Sequence, residues 1–157
     1  MKCNEICSIT KMYYAMSNFD EETIEKVWRK GRTIADWDEN EYRLDAAGAL
    51  MIKSHRGTND DYDWEIDHVF PRERLKEEFI PEEEWDNIDN LRPFNAKNNA
   101  KKSDDYPIYT RKLVFDKAQR RNVESEMPRV VDEDVQRAVN MCFNFHFDIV
   151  EGDHSDD

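Results

Sequence analysis

The stretch "WEIDHVFPRERL", residues 64 to 75, sets a carboxylate and an imidazole side by side, Asp67 and His68, between the apolar Ile66 and Val69. Further on, "DNLRPFNAKNNAKKSD", residues 89 to 104, brings amides and lysines. These are the residue types that hydrolysis of a phosphodiester asks for. A hard cation must polarise the phosphate and stabilise the leaving oxygen, and a base must take a proton from the attacking water. Magnesium keeps several of its waters, so one or two protein oxygens suffice. Histidine is a base whose ordinary pKa lies near neutrality. Neighbouring side chains on a strand point to opposite faces. For Asp67 and His68 to reach one phosphate, the strand must end or twist there, with a second ligand coming from a helix packed alongside. Pro71 marks a place for that ending.

The elements that would position these residues can be read along the chain. "NFDEETIEKVWRKG" predicts a helix with Asp20 as N-cap, acids in the first turn and Ile24, Val27 and Trp28 on one face. "YRLDAAGALMIKSHRG" has Gly48 and Gly57 as turn points around a strand at "ALMIKS", and "DWEIDHVF" is a second strand. Residues 72 to 89 form a long acidic surface loop with a helical turn or two. "NLRPF" is a short extended piece, and "NAKNNAKKSD" a polar helix. "DEDVQRAVNMCFNF" predicts an amphipathic helix capped by Asp132, with Val135, Ala138, Val139, Cys142 and Phe145 on one side. The whole reads as α+β with little sheet, a single domain over 1–157. Its centre is 62–107, preceded by a helix and hairpin in 1–61 and followed by a basic segment, helix and acidic tail in 108–157.

The 157 residues suffice for a core without staples. A net charge of −13 argues against indiscriminate binding to nucleic acid or membrane. The charge is uneven, however. Lys97, Lys101, Lys102, Arg111, Lys112, Lys117, Arg120 and Arg121 face only Asp104, Asp105 and Asp116 in the segment 97–121, which is expected to touch phosphates. Cys3, Cys7 and Cys142 form no CxxC pair, so no structural zinc is expected, and free thiols suit a reducing cytoplasm. The start "MKCNEICSIT" lacks a signal-peptide core, and no apolar run would span a bilayer. The chain therefore reads as soluble and cytoplasmic.

Taken together, "WEIDHVFP", "NLRPF" and "NNAKKSDDYP" resemble the HNH endonuclease motif, the ββα-metal fold, in its HNN variant. The nearest likeness is to small phage and bacterial HNH proteins, whose R-x-D-x-x-G-x-x-I pattern is matched by "RLDAAGALMI". The strong similarity covers roughly 64 to 107. It implies that Asp67 is a magnesium ligand and His68 the general base. Asn90 would tie the connecting loop and help orient the histidine. Asn99 would be the second ligand, with Asn98 as the competing register, and Lys102 would contact a phosphate near the cut. Mg²⁺ is the implied cofactor, with Mn²⁺ as a substitute. Lys97, Lys101, Arg111, Lys112, Arg120 and Arg121 would contact the backbone of DNA, expected to be duplex. Two departures stand out: the zinc-binding cysteine pairs are absent, and the acidic "EEFIPEEEWD" replaces a shorter Gly-rich turn.

Each fragment alone has a plainer reading. An Asp-His pair at a strand end is usually inconsequential, Asn-Leu-x-Pro is a turn signal, and "NNAKKSD" is a solvated helix face. Order and spacing make the combination specific. The expected activity is metal-dependent nicking or cutting of DNA. The competing expectation is an inactive HNH scaffold whose acidic exterior mimics DNA or docks a basic partner, and a third is an enzyme working inside a larger protein complex. His55, His146 and His154 have no motif around them, and Trp28, Trp37, Trp64 and Trp85 read as core or loop anchors.

Overall fold

The computed structural model describes residues 19–152. Cys3, Cys7 and His154 lie outside the described residues. Helix α1, Glu21–Trp28, starts at Asp20, whose side chain accepts from the Thr23 amide at 2.7 Å, and buries Val27 and Trp28. Strands β1, Tyr42–Leu44, and β2, Leu50–Ile52, pair antiparallel around the "DAAG" turn. Gly48 closes that turn with φ +93. A Cβ there would approach Val114 Cγ2 to 3.2 Å, so both backbone shape and the packed neighbour call for glycine.

The next pair is β3, Trp64–His68, with β4, Leu91–Asn95. They run antiparallel, and His68 lies opposite Leu91 and Asp67 opposite Arg92. Between them the acidic stretch forms helix α2, Arg72–Glu77, and two single 3₁₀ turns at Glu82–Glu84 and Ile88–Asn90. Helix α3, Ala96–Lys102, follows β4 without a break. The Asn95 side chain caps it by accepting from the Lys97 and Asn98 amides.

The largest departure from expectation lies in residues 108 to 130. Instead of a basic segment with little sheet, the chain forms a long hairpin of β5, Ile108–Asp116, and β6, Arg121–Val130, with an irregularity between Arg111 and Leu113. Tyr109, Arg111 and Leu113 alternate inward, and the charged member of that triplet hid the period. The turn also lacks the usual Asn-Gly signal, because Arg120 itself adopts φ +55 and Asp116 accepts from the Gln119 amide.

Helix α4, Glu133–Phe143, begins after Asp132, but the Asp132 side chain makes no capping bond. The helix buries Gln136, Val139 and Phe143; Phe145 lies beyond its end and joins the same core. Asn144, at φ +56, terminates it.

Two clusters flank the β3–β4 pair. One gathers Phe70, Leu75, Phe94, Tyr109, Val139 and Phe143; the other is Trp28, Met51 and Trp64. The buried indoles of Trp28 and Trp64 donate to the carbonyls of Glu39 and Lys53. No helix among the described residues is long and apolar enough to cross a membrane.

Candidate active site at the end of strand β3

Asp45, in the β1–β2 turn, organises the platform beneath the site. It is fully buried and accepts from the amides of Ala47, Ala49 and Asn95 and from Asn98 Nδ2 at 2.9–3.1 Å. Burial pushes its pKa up, and these donors pull the other way. The turn thereby grips the start of α3. Asn98 continues the grip: its Oδ1 accepts from the Lys112 and Leu113 amides at 2.8 and 2.7 Å, and its Nδ2 also donates to the Leu113 carbonyl. Asn98 is buried with both ends of its amide engaged.

That leaves Asn99 as the asparagine facing the Asp67–His68 pair. Asn99 lines a cavity of about 290 Å³ together with Asp67, His68, Lys102 and Arg72. Its Nδ2 donates to Glu65 Oε2 at 2.7 Å, which leaves its oxygen as the atom able to face a cation. On β3, Glu65 and Asp67 share one face, and α3 lies over it, presenting Asn99 and Lys102 one turn apart.

Asp67 is 5% exposed and stands between two cations. Arg92 Nε donates to Oδ2 at 2.9 Å, and Lys102 Nζ to Oδ1 at 3.2 Å. Lys102 also donates to the His68 carbonyl at 3.2 Å and is itself fully buried; burial lowers its pKa, partly offset by Asp67. The Lys102 ammonium, expected to meet a phosphate, is enclosed and holds the site's carboxylate and backbone. Arg92, the "x" of Asn-Leu-x-Pro, stacks 4.3 Å from the Phe94 ring centre.

His68 has an 11% exposed side chain, and its Nε2 lies 2.7 Å from Asp86 Oδ1. Burial holds the imidazole below its ordinary pKa of 6.5, against the opposing pull of Asp86. Asn90 is fully buried, and its side chain brackets the Phe70 backbone, accepting from its amide at 2.8 Å and donating to its carbonyl at 3.1 Å. The turn that follows His68 is fixed in this way.

Comparison with family models, curated proteins and solved structures finds no match. Among the described residues, no group of three or more His, Cys, Asp or Glu side chains is placed to hold a metal. The candidate donor set here is of another kind, one carboxylate and one amide oxygen. It fits a hard cation that keeps most of its waters. A carboxylate has about four acceptor directions, and the two cations on Asp67 take one on each oxygen.

The basic residues scatter. Arg111, expected to contact phosphate, is 6% exposed and donates to the Ser125 carbonyl and hydroxyl and to the Ala47 carbonyl. Lys97, Lys112 and Arg121 line a different concavity, shared with Asp61 and Glu124, and Lys97 pairs with Asp61. Lys101 faces Glu126, and Arg120 stacks on Trp37. The cation lining the candidate site that sequence reasoning missed is Arg72. Asp86, Glu65 and Arg92 were missed as well. Only Arg92 had a signal, the cross-strand register that sets it opposite Asp67.

Proposed function

We propose that the chain is an HNH-type endonuclease that hydrolyses DNA phosphodiester bonds with one divalent cation, nicking or cutting the strand. The single observation that carries this reading is that Asp67, His68 and Asn99 line one cavity at a strand end, from two adjacent elements. Asp67 and Asn99 would hold the ion, Mg²⁺ or Mn²⁺. When bound, that ion supplies Lewis-acid polarisation of the phosphate and stabilises the leaving oxygen.

The chain's own residues do the rest. With Asp86 accepting from Nε2–H, the lone pair of His68 stands on Nδ1, and that nitrogen takes the proton from the attacking water. Lys102 and Arg92 set the Asp67 carboxylate in place, Asn90 fixes the turn behind His68, and Arg72 offers a cation to the phosphate chain. The test is conversion of supercoiled plasmid with Mg²⁺ or Mn²⁺ against excess chelator. Cleavage only with the ion supports the proposal, and cleavage persisting in chelator overturns it.

A second reading has its own observation. Both oxygens of Asp67 are ion-paired and His68 Nε2 is engaged by Asp86, as in a network serving structure alone. On that reading the chain is an inactive scaffold whose net charge of −13 docks a basic partner. Mn²⁺ titration separates the two. A thermal stabilisation that Asn99→Ala removes favours the nuclease, and no stabilisation together with no cleavage favours the scaffold.

A further inference from the structure

Trp37 stands in the connection between α1 and β1. Its ring meets Tyr42 at 5.1 Å between centres and Phe115 at 5.7 Å, both edge to face, at 86° and 79°. Those contacts hold the indole to β1 and β5. Over the ring lies the guanidinium of Arg120, its central carbon 5.2 Å from the ring centre. Arg120 is exposed at the tip of the β5–β6 hairpin, so the indole face that carries it opens to solvent.

Trp37 and Arg120 line one open concavity of about 520 Å³, which shares no residue with the cavity at the end of β3. Tyr42 and Tyr62 add aromatic wall, and Leu50 and Ile52 an apolar floor. The charged lining is Asp36, Asp38 and Arg120, all three exposed. Apart from Arg120 the lining holds no cation, two carboxylates and three aromatic side chains. Asp38 accepts from the Asn40 amide and keeps oxygen directions to spare. Carboxylates attract a cation, and an indole face binds one through its ring quadrupole. The same lining repels phosphates and carboxylates. The chain's own arginine shows which chemistry the ring accepts, and nothing buries it there, so an outside guanidinium can take its place.

We propose that this concavity is a docking site for an arginine side chain of a basic partner protein, which displaces Arg120 from Trp37. The incoming guanidinium lies on the indole within reach of the aspartates, and its aliphatic stem covers the apolar floor. The net charge of −13 draws a basic partner from a distance. Arg120 acts as a built-in competitor that sets how tightly the site binds. This site needs neither metal nor cleavage, so it stands or falls apart from the nuclease reading.

The test follows the Trp37 indole N–H by nuclear magnetic resonance at about 0.15 M salt, where exposed charges are screened. The probes are N-acetyl-arginine methylamide and its lysine and citrulline counterparts. Arginine should move the signal saturably with a Kd on the order of 10 mM. Citrulline has the same shape without the charge and should bind at least about fivefold more weakly. Lysine, more strongly hydrated and without the planar face, should bind about two- to fivefold more weakly than arginine. Arg120→Gly removes the competitor and suits the backbone there, at φ +55. It should tighten arginine about two- to fivefold, the scale of one exposed cation–π contact. Asp36→Asn combined with Asp38→Asn, both at the surface, should weaken arginine by about as much. Equal binding of citrulline or lysine, no saturable shift, no tightening in Arg120→Gly, or unchanged binding in the double asparagine variant each overturns the inference. A Trp37 shift that grows with the concentration of the protein alone would make a second copy the occupant and overturn it too.

Discussion

Asp67 and Arg92 lie directly opposite each other in the β3–β4 ladder, and Arg92 Nε reaches Asp67 Oδ2 at 2.9 Å from inside the protein. With Lys102 on the other oxygen, a nearly inaccessible carboxylate is balanced by two enclosed cations. Removing the carboxylate would leave both enclosed cations without a counter-charge. Asp67→Asn is therefore expected to cost about 3–5 kcal/mol in urea unfolding. Adding Arg92→Met should restore part of the loss, since one of the two unpaired cations is then gone. A double variant no more stable than Asp67→Asn alone would refute the pairing.

The two adjacent asparagines should separate cleanly. Asn98 engages Asp45, Lys112 and Leu113, so Asn98→Ala is expected to lose on the order of 2–4 kcal/mol of stability. The Asn99 side chain donates to the exposed Glu65, so Asn99→Ala should change stability by less than about 1 kcal/mol. Its cleavage rate should nonetheless fall at least tenfold, roughly the scale of losing even an outer partner of a metal site. The reverse pattern would move the ligand to Asn98.

Titration of His68 follows from its burial. Its folded pKa lies below 6.5, so the unfolded chain binds this proton more tightly. The stabilising contribution is complete above the ordinary value and is lost as pH falls through the folded one. Asp86 works in the opposite direction, so Asp86→Asn should lower the His68 pKa further. Imidazole proton shifts of the metal-free protein report this directly; an upward move in the variant would contradict the Nε2–Asp86 contact.

Salt dependence of DNA binding should distinguish the cations. Arg72 lines the candidate site, and Arg72→Gln is expected to reduce the slope of log K against log salt by about 1. Arg111→Gln should leave the slope alone and lower stability instead, because its guanidinium holds the Ser125 and Ala47 carbonyls. A slope change in Arg111→Gln would return that residue to the surface role expected from sequence.

What was legible in the sequence follows from how local each signal is. The cap of α1, the strand ending near Pro71 and the polar helix after "NLRPF" are written in neighbouring residues, and they stand where the pattern puts them. Asp45 drew attention only as part of a pattern; its grip on Asn95 and Asn98 spans fifty residues and exists only in three dimensions. The β5–β6 hairpin was hidden because Arg111 interrupts the apolar alternation and its turn relies on Arg120 rather than glycine. Asp86 was the hardest to foresee. It belongs to an acidic stretch that resembles solvated surface, yet one of its carboxylate oxygens meets the imidazole.

The most direct measurement is the initial rate of plasmid nicking at saturating Mg²⁺ for the wild type beside His68→Ala, both shown to be folded. If His68 removes the proton from water, the variant should be slower by about 10²–10⁴-fold, the usual contribution of a general base. Equal rates would mean that the imidazole at the end of β3 plays no chemical part.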